Sequence, residues 1–369
     1  MRHRGQNIRI RINELMISYT DEGPDDSPII LFIHGFPLNK SMWNAQVEAL
    51  SLNYRVIAYD VRGHGNSDAG NGDFSIELFV NDLISLMDAL MIQKATLCGL
   101  SMGGYIALNA IENYPKRFDA LILCDTNCIA DSQEVRGKRM NTIESIKENG
   151  QEHYADESLK SLFTPESFVT NKEKISDVKA MIMETSMQSL CKTIFAITRR
   201  TETYSKLADI TVHVLILVGE KDQLTPPEQS MMIQRKIKGS ILNIIEHAGH
   251  LSNIENSYEF NAQLIKFVSS VYQQTDKQTK RDRMGSEVKN SENLTRFENT
   301  EKELNANILE VTMKIRDHYP ELSKYLDEMP VTVPSEKDPE ITLNHLQTYY
   351  ESLNSLLNKY KVDYPKIEE

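Results

Sequence analysis

Hydrophobic residues in this chain fall into two rhythms. Short apolar runs occur at 29–33, 55–59, 95–98, 119–125, 212–218 and 241–245. Runs of that length read as strands buried on both faces of a parallel sheet. Between them, apolar positions recur every three or four residues. Trp43, Val47 and Leu50 follow a Ser41 cap, and a second amphipathic stretch runs from Met102 to Tyr114 and stops before Pro115. Strand and helix signals in alternation predict an α/β architecture, with helices on both faces of a mostly parallel sheet. Ile8, Ile10 and Ile12 alternate with polar residues, so residues 7–20 read as an opening pair of strands.

The rhythm changes between about 130 and 206. Buried β-runs vanish, and charged helical segments with scattered Met and Phe replace them. Leu162, Phe163, Phe168, Met183, Met187 and Phe195 are candidates to line a pocket there, with packing onto the sheet as the alternative for each. The sheet pattern resumes at Val212. Thr225-Pro226-Pro227-Glu228 reads as a capping box with proline at the first helical position. Ser257 or Asn256 opens a further helix with the stripe Phe260, Leu264, Phe267, Val268 and Val271. The expected organisation is a domain over 1–272, a linker over 273–293 that is polar and without periodicity, and a small helical domain over 294–369. In that last part Leu304, Ile308, Val311 and Ile315 keep helical spacing, as do Leu346, Tyr349, Leu353, Leu356 and Tyr360. A Pro-flanked extended segment, Met329 to Pro334, separates them. These helices are read as a surface for self-association or protein docking, with a merely stabilising tail as the alternative.

Composition narrows the classes. The chain has 369 residues and is 40% hydrophobic, enough for a large core and a second, smaller unit. Its formal net charge of −12 argues against nucleic acid and anionic membrane surfaces as partners. No apolar run reaches membrane-spanning length, and no apolar stretch follows the basic N-terminus, so a cytoplasmic protein is expected. Cys98, Cys124, Cys128 and Cys191 lie in or beside expected core segments and read as free thiols.

The candidate chemistry centres on Gly99-Leu100-Ser101-Met102-Gly103, a G-x-S-x-G placed between a strand and a helix. A serine on such a turn is held exposed at the end of a sheet. Its hydroxyl needs a base, and the base needs an orienting partner. His250, in Gly249-His250-Leu251, suits the base; Asp222, in Gly219-Glu220-Lys221-Asp222, suits the orienting acid. Each follows a parallel strand, so all three belong to loops that converge on one crevice. His247 is the rival base and Asp125 the rival acid. His34 and His64 read as structural, Asp60 as a turn residue, and Arg62 as a member of an ion pair. Met102 N–H, just after the serine, is one expected oxyanion donor. No cofactor and no metal are expected.

The phrases HGFPLNKSMW, YDVRGHGNS, GLSMGGYIAL and LILCDTN, with the order Ser101, Asp222, His250, resemble the α/β-hydrolase superfamily. Within it, residues 29–128 resemble the 3-oxoadipate enol-lactonase and small carboxylesterase group. The resemblance spans about residues 7–272 and fades over 130–206, where such proteins carry a helical cap. It implies the α/β-hydrolase fold, and it implies Phe36 N–H as the second oxyanion donor, from the His-Gly-x loop of small esterases. The implied activity is cleavage of a small carboxylic ester or lactone through an acyl-enzyme. Cleavage of a C–C bond, thioesterase or acyltransferase activity, and non-catalytic ligand binding on this fold stay open. Serine at 101 argues against the dehalogenases and epoxide hydrolases, which use a carboxylate nucleophile. An anionic enol-lactone would want a cation in the pocket, for which Arg199 and Arg200 are the candidates.

Overall fold

Eight strands form one sheet in a computed structural model that describes residues 5–283, 304–316, 319, 322 and 343–363. The strands are β1 (Gly5–Ile12), β2 (Leu15–Glu22), β3 (Ile29–Ile33), β4 (Arg55–Tyr59), β5 (Ala95–Leu100), β6 (Phe118–Cys124), β7 (His213–Gly219) and β8 (Ile241–Ile245). Their spatial order is β1-β2-β4-β3-β5-β6-β7-β8. β1 and β2 form an antiparallel pair, β2 joins β4 antiparallel, and every later pairing is parallel.

The continuous apolar runs have a direct cause. Successive side chains of a strand point to opposite faces. On one face Leu31, Ile33, Ile57, Tyr59, Leu97 and Leu121 pack in a core with α2 (Ile76–Ala89) and α3 (Met102–Asn113). The intervening Ile30, Phe32, Val56 and Cys98 are equally buried and face the other way, where the Phe32 ring lies 4.6 Å from Trp43, just before α1 (Asn44–Leu50). Burying a side chain of this size contributes roughly 1.5–3 kcal/mol, so neither face tolerates a polar residue without a partner. Ser75 caps α2 through its hydroxyl, which accepts the Leu78 N–H at 3.1 Å.

The buried charges of Asp60, Arg62 and Arg55 are paired. Asp60 accepts hydrogen bonds from Lys40 Nζ (2.8 Å), Lys40 N–H and Asn66 N–H. Arg62 pairs with Asp82 inside the core, and Arg55 with Asp21. All four cysteines are free, three of them buried and Cys191 half-buried.

Between β6 and β7 the chain leaves the sheet and builds α4 (Gln133–Leu162), α5 (Ser167–Thr170), α6 (Lys172–Met183) and α7 (Met187–Arg199). Gly150, at φ 85° and ψ 175°, breaks α4 into two rods. The excursion is closed at its neck, where the Cys128 carbonyl accepts Thr203 N–H at 2.8 Å and Tyr204 N–H at 3.2 Å. After β7 come α8 (Pro227–Lys236), the single turn α9 (Ser252–Glu255) and α10 (Ser257–Arg283).

The chain divides into two units, Met1–Gln263 and Leu264–Glu369. The division falls within α10, ahead of residue 272, and the helix itself runs unbroken to Arg283. Residues 273–283, read from composition as linker, are therefore helical. Their Gln, Lys and Arg are good helix formers that carry no hydrophobic periodicity to announce them. Residues 284–293 and 329–334 lie outside the described residues. In the second unit, helix α11 (304–316) contributes Val311 and Ile315, and α12 (Leu343–Asp363) contributes Leu353 and Leu357, to a separate apolar cluster with Leu322. Leu356, read as part of that stripe, is half-buried. Among the described residues, no helix is long and apolar enough to cross a membrane.

Candidate active site

The sheet's connection reverses direction between β3 and β5, and a crevice opens outside the strand ends at such a switch point. Ile33, the last residue of β3, pairs with Gly99 in β5. The segments His34-Gly35-Phe36 and Leu100-Ser101-Met102 therefore leave the sheet side by side. Ser101 holds φ 55° and ψ −113°, a strained conformation for a residue with a Cβ. It is fixed on both sides: Ser101 N–H donates to the Cys124 carbonyl at 2.9 Å, and the Thr126 hydroxyl donates to the Ser101 carbonyl at 2.8 Å. The turn closes tightly enough that a Cβ on Gly103 would sit 2.2 Å from the Ile33 carbonyl oxygen.

Met102 is the first residue of α3, so its N–H has no intrahelical acceptor. Phe36 N–H likewise donates to no backbone carbonyl among the described turn and loop bonds. The Phe36 ring meets Tyr154 of α4 at 6.3 Å between centroids.

Asp222 and His250 come from the loops after β7 and β8. Gly219 lets these loops meet, since a Cβ there would lie 2.0 Å from the Gly249 carbonyl oxygen. His250 Nδ1 is 2.9 Å from Asp222 Oδ2. An ionised carboxylate can only accept, so Nδ1 carries the proton and Nε2 is left basic. Asp222 Oδ1 accepts the N–H groups of Leu224 (2.8 Å) and Thr225 (3.0 Å), and Oδ2 also accepts the Thr225 hydroxyl (2.7 Å). Burial alone would raise the Asp222 carboxyl pKa. The interaction with His250 and these hydrogen bonds outweigh it and hold the carboxyl below its usual range. Thr225 is thus a ligand of the carboxylate; it does not cap α8, whose N-cap is Pro226 without a side-chain bond. The capping-box reading is corrected on this point: the Asp222 charge takes the hydroxyl that the helix would have used.

Ser101, His250, Phe36 and Thr225 all line one cavity of about 580 Å³. Asp222 stands behind His250, 3% exposed. His247 is exposed and donates its N–H to Glu220. Asp125 is fully buried, and its carboxylate is taken up by Gly219 N–H and the Ser252 hydroxyl. Burial, and then the Asp222 charge, raise the Asp125 carboxyl well above the usual range. His34 and His64 are buried, with ring centroids 5.2 Å apart, and each uses its ring to hold loop backbone.

Of the residues expected to line a pocket between 130 and 206, Leu162 does so. Phe168, Met183 and Met187 face solvent, Phe163 is buried, and Phe195 packs beside Ile143, Ile146, Leu190 and Ile194. The wall is built by Tyr154, Ile194, Ile197 and Leu224. Helical spacing gives no sign of which face of a cap helix looks inward. Arg200 lines the cavity, with its guanidinium 4.3 Å from the Tyr105 ring centre, and Arg199 instead stacks on Phe195. Arg139 also lines the cavity, which the sequence pattern did not reveal. Both Arg139 and Arg200 pair with the single carboxylate of Asp131, at 2.6 and 2.8 Å. Among the described residues, no group of three or more His, Cys, Asp or Glu side chains is arranged to hold a metal ion.

Known proteins share this arrangement of chain. Residues 28–257 match the family described as alpha/beta hydrolase fold. The chain is 29% identical, over 67% of its length and 91% of the relative's, to 3-oxoadipate enol-lactonase 2 of Acinetobacter baylyi. Among solved structures, a thermophilic esterase from Thermogutta terrifontis is 30% identical with a TM-score of 0.68, covering 72% of this chain and 99% of that one. The enol-lactonase from Burkholderia xenovorans LB400 is 28% identical with a TM-score of 0.67, covering 71% and 100%. The family match covers well over half of the chain: this protein belongs to the alpha/beta hydrolase fold family.

Proposed function

We propose that the protein is a serine hydrolase that cleaves a small carboxylic ester or lactone through an acyl-enzyme. The observation that carries this reading is the Asp222–His250 pair at 2.9 Å, beside a cavity that Ser101 also lines. Ser101 Oγ attacks the carbonyl carbon as His250 Nε2 takes its proton. The new oxyanion is received by Phe36 N–H and Met102 N–H, and Asp222 stabilises the imidazolium. Collapse breaks the C–O bond, and His250 returns the proton to the leaving alcohol. His250 then deprotonates water, which attacks the acyl carbon and frees the acid and Ser101.

Hydrolysis of a short-to-long p-nitrophenyl ester series by wild type, Ser101→Ala and His250→Ala tests this. Each variant should lose about 10⁴-fold or more in kcat with the fold intact. Near-native turnover by Ser101→Ala would overturn the nucleophile assignment. A wild type inert on every ester would redirect the search to C–C bond cleavage or ligand binding.

A second reading narrows the substrate. Two guanidinium groups share the Asp131 carboxylate at the cavity, and the other carboxylate lining it, Glu157, is paired with Lys160, so one positive charge is left over. The Arg139 side chain is 29% exposed, against 4% for Arg200, so Arg139 is the cation a ligand can reach. A substrate bearing its own carboxylate, as an enol-lactone of a dicarboxylic acid does, is favoured. Arg139→Gln should raise KM for a carboxylate-bearing ester about 10-fold or more and leave that of its neutral analogue nearly unchanged. Equal effects on both esters would remove this reading.

A further inference from the structure

Glu255 ends α9, five positions after His250. Its carboxylate reaches in two directions. Oε2 accepts the Gly249 N–H, the amide just before His250, at 2.7 Å. Oε1 accepts Thr164 N–H at 2.8 Å, the Thr164 hydroxyl at 2.8 Å and the Ser167 hydroxyl at 2.6 Å. Thr164 and Ser167 belong to the excursion between β6 and β7, in the step from α4 to α5. One charged group thus accepts bonds from the histidine's loop and from the helical segment above the sheet. Hydrogen bonds to an ionised acceptor are about twice as strong as neutral ones and hold geometry accordingly.

The acid's loop is tied to the same short segment. Lys221, adjacent to Asp222, pairs with Glu166 at 2.8 Å. Lys174 at the start of α6 donates to the Ile254 carbonyl at 2.9 Å. Residues 164–167 therefore touch the loops of both Asp222 and His250, but the two ties differ in kind. Lys221 is 39% and Glu166 63% exposed, where water and salt weaken a pair. The hydroxyl groups on Glu255 belong to residues only 3% exposed.

We propose that Glu255 is the positioning residue of His250, and that through it the seating of segment 164–167 sets the histidine's approach to Ser101. The inference rests on the function proposed above. A base must stand within hydrogen-bond reach of the hydroxyl it deprotonates, and a displacement of about 1 Å can cost on the order of 10²-fold in rate. Substrate affinity depends on the cavity wall, in which Glu255 takes no part.

The test uses the full-length protein with Glu255→Gln and the double variant Thr164→Val/Ser167→Ala. The double variant leaves Glu255 and Gly249 in place and removes the two hydroxyl donors. Active sites are counted by fluorophosphonate labelling, so that kcat refers to folded, competent molecules. Glu255→Gln should lower kcat by ~10- to 100-fold with KM within about threefold, and the double variant should change kcat in the same direction. The rate of fluorophosphonate labelling should fall in parallel, because it depends on the same base. A melting temperature that drops while kcat per labelled site stays at the wild-type value would make Glu255 a structural strut and overturn the inference. So would a KM effect without a kcat effect. Failure of the underlying reading looks different: there, Ser101→Ala itself stays active.

Discussion

Single atoms decide this site. The Thr225 hydroxyl is one of the groups that hold the Asp222 carboxyl below its usual range, and it also lies 3.3 Å from His250 Nδ1. Thr225→Val removes that hydroxyl and changes little else in volume. A carboxyl with a lowered folded pKa stabilises the protein above its unfolded pKa, and that stabilisation is lost as pH falls through the folded value. With the pKa lowered less, less of that stabilisation is present at neutral pH and it is exhausted at higher pH. Acid unfolding of Thr225→Val, followed by circular dichroism, should therefore move to higher pH, and kcat should drop roughly 10-fold or more as the histidine's partner loosens, about the effect of one charged hydrogen bond. An unchanged acid transition would show the hydroxyl to be incidental. Gly103 is a second such position. Alanine there would force a shift of β3 or of the turn, costing about 1–3 kcal/mol in a melt, with esterase activity falling further than stability alone accounts for. The strained turn at Ser101 and its flanking glycines were legible in the sequence because their backbone demands leave few residue choices. Thr225 was not, because Thr-Pro-Pro-Glu satisfies a helix cap and a carboxylate equally well on paper.

At the level of elements, the loops after β3 and β4 rest on two histidines that must stay neutral. His34 Nε2 accepts Val61 N–H at 2.9 Å, which an imidazolium cannot do. Burial, only partly offset by the bond to the Gly35 carbonyl, lowers the His34 pKa to about 4; burial and the neighbouring His34 lower His64 to about 3. Both depressed values lie below the ordinary imidazole pKa of about 6.5. Unfolded chains therefore bind more protons than folded ones across that window, and stability falls as pH drops from about 6.5 towards 4. Urea midpoints measured across that range should decline, and His64→Gln should flatten the decline; an equal slope in the variant would refute the assignment. The strands were readable because burial on both faces leaves an uninterrupted apolar run, seen at Ile29–Ile33 and Arg55–Tyr59. The helices over the cavity were readable as helices but not in orientation. Arg139 and Tyr154 look like ordinary polar-face residues until the kink at Gly150 sets the direction of each half of α4.

For the whole molecule, every residue assigned a role in the reaction lies between Phe36 and His250, inside the first unit, and the second unit carries its own apolar cluster. A chain ending at residue 283 keeps α10 whole. It should retain kcat/KM within about twofold, and size-exclusion chromatography beside the full chain then reads whether the tail drives self-association. Lost activity in a folded truncation would tie the tail to the reaction. The neck of the excursion carries a different consequence. Because Cys128 closes on Thr203 and Tyr204, and the strands on either side pair with each other, everything between is a loop whose ends are already joined. Lengthening such a loop costs little, about 0.6 kcal/mol per doubling. A longer or grafted segment can therefore replace it with the sheet left standing, provided that Ala196 and Ile197, which pack in the sheet's own core, keep their counterparts. The graft would have to restore two hydroxyls for Glu255. Selectivity and folding are then separable properties of this chain, and they can be altered one at a time.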